Sequence, residues 1–169
     1  MKYHHRAPEE NKELGGVWVK GHTDFGSLTL LFRQPVAALQ VRANDTWKWV
    51  KPYPGSITVN IADSLSFLTN GFLKSSIHRV VAPPSDQEHI DRIGVLYFLR
   101  PEDNLPLVPI ESPVLQRLGL TVSGDQGEIV TAGEWVKARV ASNASGKKSS
   151  SATEGEHEVV KGKTTRYYD

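Results

Sequence analysis

The chain has no cysteine, which removes a disulfide scaffold and a thiolate metal site from consideration. Net charge is nearly absent as well: 20 basic residues against 19 acidic ones leave +1. Such a balance provides no electrostatic footprint for nucleic acid or an anionic membrane, so neither is an expected partner. Long apolar runs are missing, and nothing approaches the roughly 20 residues of a spanning helix. Lys2, Tyr3, His4 and His5 follow Met1 where a secretory signal would carry its apolar core, and a cytoplasmic protein is the expectation. No internal repeat is visible. Apolar residues reach only 38%, yet 169 residues suffice for one domain with its own core.

Residues 1–16 are polar, with Pro8 and the charged run Glu9-Glu10-Asn11-Lys12-Glu13, and read as a solvated N-terminal segment. From Val17 the texture changes to short runs rich in β-branched and aromatic residues, at 17–22, 28–32, 39–42, 47–50, 56–61, 76–82 and 92–99. Gly26, Gln34-Pro35, Asn44-Asp45, Pro54-Gly55, Asn70-Gly71 and Pro83-Pro84 punctuate them. Seven short strands at this spacing predict an all-β sandwich or barrel and not βαβ units. Past Arg100-Pro101 the pattern loosens. Ser112 to Gly119 predicts a turn or two of helix with Pro113 near its start. Thr131 and Glu134 form a capping-box pattern leading into Trp135 to Val140, read as a surface helix in preference to a lid. Residues 142–158 are rich in Ser, Gly, Lys and Glu with no large apolar side chain, the composition of a disordered insert. The chain therefore divides into 1–16, a main domain over 17–120, a helical segment over 121–141, the insert 142–158 and a tail 159–169. The tail's Arg166-Tyr167-Tyr168 gives it the means to dock back on the domain.

Three side chains point to chemistry: His22 and Asp24 in His22-Thr23-Asp24, and His78 fifty-six residues after His22. Residues two apart on a strand face the same way, so His22 and Asp24 can share one ion, with His78 closing the site from another strand. Two imidazoles and a carboxylate hold a metal on one face and leave the other for water, a co-substrate and dioxygen, the arrangement of non-haem Fe(II) oxygenases. Taken singly, a histidine on a strand is more often a hydrogen-bonded structural residue than a ligand. His4, His5, His89 and His157 stand in polar surroundings without a carboxylate on the same strand face and are set aside.

The context around these residues resembles a known family. Gly21-His22-Thr23-Asp24-Phe25-Gly26-Ser27-Leu28-Thr29-Leu30-Leu31 is similar to the first metal motif of the Fe(II)/2-oxoglutarate-dependent dioxygenases, in the branch resembling isopenicillin N synthase. Pro54 to Asp63, Thr69-Asn70-Gly71 with Lys74-Ser75, His78-Arg79-Val80-Val81 and Arg92 to Phe98 resemble the segments that follow, in the same order over roughly 17–101. The resemblance implies an all-β core, a double-stranded β-helix or jelly roll, with short C-terminal helices. It implies Fe(II) held by His22, Asp24 and His78, and 2-oxoglutarate as co-substrate with Arg92 on its far carboxylate. Arginine suits that role because its guanidinium pairs bidentately and keeps its charge when buried. Tyr3 stands where the family often has a second co-substrate residue. The implied activity is oxidation of a small organic molecule by dioxygen, as hydroxylation, desaturation or ring closure, in secondary metabolism. Phe25, Leu65, Phe67 and Phe98 are candidates for the pocket or the core.

Two departures stand out. The family usually has a serine two residues after the arginine, and this chain has Gly94; a lost hydrogen bond to a charged group is worth about 1.5–3 kcal/mol. A water can fill that space, and a different small carboxylate is an alternative occupant. Family members also carry a longer segment before the first metal motif, so the jelly roll is expected to be incomplete on its N-terminal side, with unpaired edges and an exposed apolar face. Two other readings follow: a dioxygenase remnant that binds metal without turnover, and a non-catalytic β-sandwich binding module with structural histidines.

Overall fold

The computed structural model describes residues 1–121, 128–144 and 155–168. In chain order, β1 (Lys2–Tyr3) and helix α1 (Pro8–Glu13) precede β2 (Val17–His22), β3 (Leu28–Phe32), β4 (Leu39–Ala43), β5 (Thr46–Trp49) and β6 (Ile57–Ile61). Helix α2 (Asp63–Leu68) leads to β7 (His78–Val81), β8 (Arg92–Ile93) and β9 (Leu96–Leu99). Helices α3 (Pro113–Arg117) and α4 (Ala132–Ala144) and the hairpin β10 (Gly155–Val160) and β11 (Lys163–Tyr168) follow.

Turn chemistry and alternation account for the pairing. Asn44 and Asp45 take φ of 52° and 57° between β4 and β5, the left-handed region that Asn and Asp tolerate and a two-residue hairpin requires. A six-stranded antiparallel sheet runs β10-β11-β2-β7-β4-β5, and a three-stranded one runs β6-β3-β9. Val19, Leu39, Val41 and Val80 from the first sheet and Leu31, Leu96 and Phe98 from the second line one cavity of about 280 Å³ between them. This is the jelly-roll core expected from the sequence. Its interior is a cavity, so the tightest apolar packing lies elsewhere: Leu107, Val130, Ala132 and Trp135 form the buried cluster, with Phe25, Phe67 and Leu68 against it.

Several sequence expectations need correction. The N-terminal segment is not simply a solvated loop: Tyr3 pairs with Arg92 across β1 and β8, and Pro8, at the start of α1, pre-sets helical φ there. The run over 92–99 is broken at Gly94, whose N–H donates to the Met1 carbonyl at 2.8 Å. The helix at Trp135 lies at the surface on one side, with Glu134, Lys137 and Val140 exposed, but it is anchored on the other: Trp135 is fully buried and its indole N–H donates to the Phe25 carbonyl at 3.1 Å. Its predicted capping box is present: Glu134 Oε2 accepts from the Thr131 N–H at 2.8 Å, and Thr131 Oγ1 accepts from the Glu134 N–H at 3.3 Å. Of the insert expected over 142–158, residues 142–144 close α4 and 155–158 belong to β10; residues 145–154 lie outside the described residues. Composition missed β10 because its order comes from pairing with β11. On the outer face of the three-stranded sheet, Ile57, Val59, Tyr97 and Leu99 are 43–58% exposed.

Candidate metal and co-substrate site

Strand register brings the histidines together. β2 and β7 run antiparallel with His22 opposite His78, and their ring centroids lie 4.4 Å apart. Val41 of β4 flanks His78 on its other side. β2 ends at His22, so Asp24 lies just past the strand and not on it. Tertiary bonds replace strand alternation there: the Asp24 carbonyl accepts from the Asp63 N–H at 2.8 Å. Asp24 Oδ1 is 3.8 Å from His22 Nε2, and Oδ2 is 3.9 Å from His78 Nε2. One donor atom from each of the three residues lies within 4.8 Å of the others.

The outer bonds orient the donors. His22 Nδ1 is 2.8 Å from the Lys20 carbonyl, and His78 Nδ1 is 3.2 Å from the Ser76 carbonyl. A carbonyl oxygen only accepts, so each Nδ1 carries a proton and each Nε2 faces the cluster, the nitrogen through which the ring would bind an ion. Thr29 Oγ1 and Asn60 Nδ2 donate to Asp24 Oδ2 at 2.6 and 2.9 Å, which leaves Oδ1 as the oxygen better placed for an ion. A half-buried donor set of two imidazoles and one carboxylate fits a borderline divalent metal such as Fe(II).

Behind the metal motif stands a second polar layer that the sequence did not disclose. Thr23 points away from the cavity and is buried. Its hydroxyl donates to Asp63 Oδ2 at 3.1 Å and lies 3.0 Å from Thr165 Oγ1 of β11. Arg139 of α4, also buried, donates to the Thr23 carbonyl at 2.9 Å and stands 4.0 Å from Asp63. Burial pushes the Asp63 carboxyl up from its ordinary range, opposed by Ser75, Arg139 and Thr23. The sequence carried one faint signal of such roles: Asn60 is a lone amide in the apolar run of β6.

Arg92 and Tyr3 line the same cavity as the three metal-ligand candidates. Arg92 is only 4% exposed, with its guanidinium carbon 5.2 Å from the centre of the Tyr3 ring. Burial lowers its pKa and Tyr3 opposes the shift, but an arginine remains charged. Phe98 also lines the cavity, whereas Phe25 and Phe67 pack on the Trp135 cluster and Leu65 lies on α2. His4 and His5 turn to Asp91, at 3.3 and 2.9 Å, away from the metal-ligand candidates.

Comparison with known proteins agrees with this geometry. The family pattern described as the 2OG-Fe(II) oxygenase superfamily matches residues 2–101. A 2-oxoglutarate-dependent dioxygenase of Aspergillus fumigatus is 34% identical over 147 aligned residues, covering 70% of this chain and 38% of that protein. The 2-oxoglutarate-dependent dioxygenase iboH of Amanita muscaria is 41% identical over 98 residues, covering 56% of this chain and 47% of its own length. The crystal structure of a full-length Neurospora crassa protein in complex with alpha-KG superposes with a TM-score of 0.71 at 30% identity, over 83% of this chain and 46% of that one. The chain thus spans less than half the length of the curated relatives it matches. With the family pattern lying over the strands that carry His22, His78 and Arg92, the chain belongs to the 2OG-Fe(II) oxygenase superfamily.

Proposed function

We propose that the chain holds the iron and co-substrate site of an Fe(II)- and 2-oxoglutarate-dependent dioxygenase that oxidises a small organic molecule, by hydroxylation, desaturation or ring closure. The observation that carries this reading is the convergence of His22, Asp24 and His78 donor atoms within 4.8 Å, at the wall of a cavity that also contains a buried arginine. Iron bound there would supply dioxygen activation, with 2-oxoglutarate as the source of electrons. His22, Asp24 and His78 would hold the ion, and Thr29 and Asn60 would keep the carboxylate turned toward it. Arg92 and Tyr3 would receive the far carboxylate of the co-substrate. The apolar side chains of Val19, Leu31, Val80 and Leu96 would keep water from the reacting groups. A cavity of about 280 Å³ suits small molecules, and one complex of the Neurospora crassa protein contains thymine, which supports a substrate of that size.

The test is an anaerobic titration of the protein with Fe(II) and then 2-oxoglutarate, followed by the weak visible band of the iron chelate. A band in the wild-type protein, lost in His78→Ala and requiring more co-substrate in Arg92→Ala, is the expected result. A folded sample without a band overturns the reading. Chelation without succinate release in air would instead make the chain a metal-binding remnant.

A further inference from the structure

Gln34 follows β3 and is buried at 5% exposure, yet neither its Nε2 nor its Oε1 has a hydrogen-bond partner among the described residues. Arg92 Nε is buried and without a partner in the same way. Buried polar groups are almost always satisfied, and two of these three atoms, Gln34 Nε2 and Arg92 Nε, are donors that ask for an acceptor. The neighbourhood is a small cavity of about 30 Å³ lined by both Gln34 and Arg92. It shares Leu31, Leu39, Val50, Thr58 and Arg92 with the larger cavity, whose wall carries His22, Asp24 and His78. The donors of one guanidinium and one carboxamide therefore meet at a recess of the metal-site cavity.

Gly94 makes this arrangement possible. A Cβ on Gly94 would lie 2.5 Å from Gln34 Nε2, so the carboxamide takes up the space that any side chain at 94 would need. A carboxylate fits what remains, because it only accepts, through two oxygens, and bonds to an ionised acceptor are the strong ones.

We propose that Gln34 is a specificity-determining residue for the co-substrate, its carboxamide N–H donating beside Arg92 to the far carboxylate of a keto acid bound at the metal. The assignment rests on the proposed reading of the metal site and adds a residue to it. In this arrangement Gln34 selects dicarboxylic over monocarboxylic keto acids.

Calorimetric titration of the anaerobic Fe(II) protein with 2-oxoglutarate and with 2-oxopentanoate, in which a methyl replaces the far carboxylate, tests this. Gln34→Met keeps length and removes the donors. It is expected to weaken 2-oxoglutarate about ten- to a hundredfold while leaving 2-oxopentanoate within about twofold, and Gln34→Glu is expected to weaken 2-oxoglutarate further. The pair Gln34→Ala with Gly94→Ser brings a hydroxyl into the vacated space and is expected to recover much of the loss. If Gln34→Met does not fold, Gln34→Asn, one methylene shorter, should show the same selective loss. Equal losses for both keto acids, or no loss for either, would overturn the role of Gln34 and leave the metal-site reading standing. A wild-type protein that takes up iron but no 2-oxoglutarate would remove both.

Discussion

Thr29 Oγ1 donates to Asp24 Oδ2 at 2.6 Å, the shortest of the bonds that aim the carboxylate of the metal motif. Asn60 donates to the same oxygen. Partners of this kind are worth about ten- to a hundredfold in metal affinity. Thr29→Val and Asn60→Leu are each expected to weaken Fe(II) binding by that factor, measured by competition with a coloured chelator, with the far-ultraviolet dichroism unchanged. Unaltered affinity in both variants would mean that the backbone alone orients Asp24.

Arg139 joins α4 to the metal motif through the Thr23 carbonyl and Asp63. Arg139→Met leaves a buried carboxyl without its cation, a loss of about 3 kcal/mol in comparable buried pairs. Urea unfolding should register it as a lower midpoint at unchanged slope. A shift worth less than about 1 kcal/mol would show that Asp63 needs no cation there.

Trp135 fills the apolar cluster and meets Phe67 edge to face at a centroid distance of 5.0 Å. Trp135→Ala is expected to cost about 3–5 kcal/mol. Trp135→Phe retains most of the packing and loses the bond to the Phe25 carbonyl, and should cost about 1 kcal/mol. Thermal denaturation of the two side by side separates volume from hydrogen bonding.

Asp91 gathers Lys2, His4 and His5 about one carboxylate, at 2.9 Å, 3.3 Å and 2.9 Å, and so clasps β1 to β8. Its pKa is held well below the usual carboxylate range, first by the His5 backbone N–H and then by the His5 and Lys2 side chains. A lowered folded pKa means that the clasp is fully present above the unfolded value and is lost as pH falls through the folded one. Amide protection factors at Gly94 and His5, exchange rates relative to the unstructured amide at the same pH, should therefore be high at neutral pH and fall below about pH 4. Asp91→Asn should show the low protection already at pH 7. Identical protection in wild type and variant would refute the clasp.

The strands from Val17 to Leu99 were legible because alternation and turn residues are local signals, and His22, Asp24 and His78 were legible as donors in one pattern. Gln34, Arg139 and Thr165 were not. In sequence Arg139 looks like any basic residue on a helix, and its burial depends on Thr23, distant in the chain and next to it in space. Gly155 to Glu158 reads as disordered for the same reason: a strand with few apolar residues is ordered by its partner's backbone, which composition does not record. Gly94 was visible as a departure, but the side chain occupying its space comes from the turn after β3, and only the fold joins the two.

The pairing of β11 with β2, Tyr168 opposite Gly21 and Tyr167 opposite His22, has a consequence for the newborn chain. Gly21 admits that neighbour only because it has no side chain; a Cβ there would lie 2.6 Å from the Tyr168 carbonyl oxygen. On the ribosome β2 emerges long before β11, and at about 5–20 residues per second the wait is roughly seven to thirty seconds. Throughout that interval one edge of β2 is open to other strands; His78 follows His22 by 56 residues and precedes the start of β11 by 85, so it is present on the other side of β2 for the later part of the wait. Iron available in that later window would meet all three proposed ligands before β11 pairs with β2, so metallation can precede the completion of the sheet.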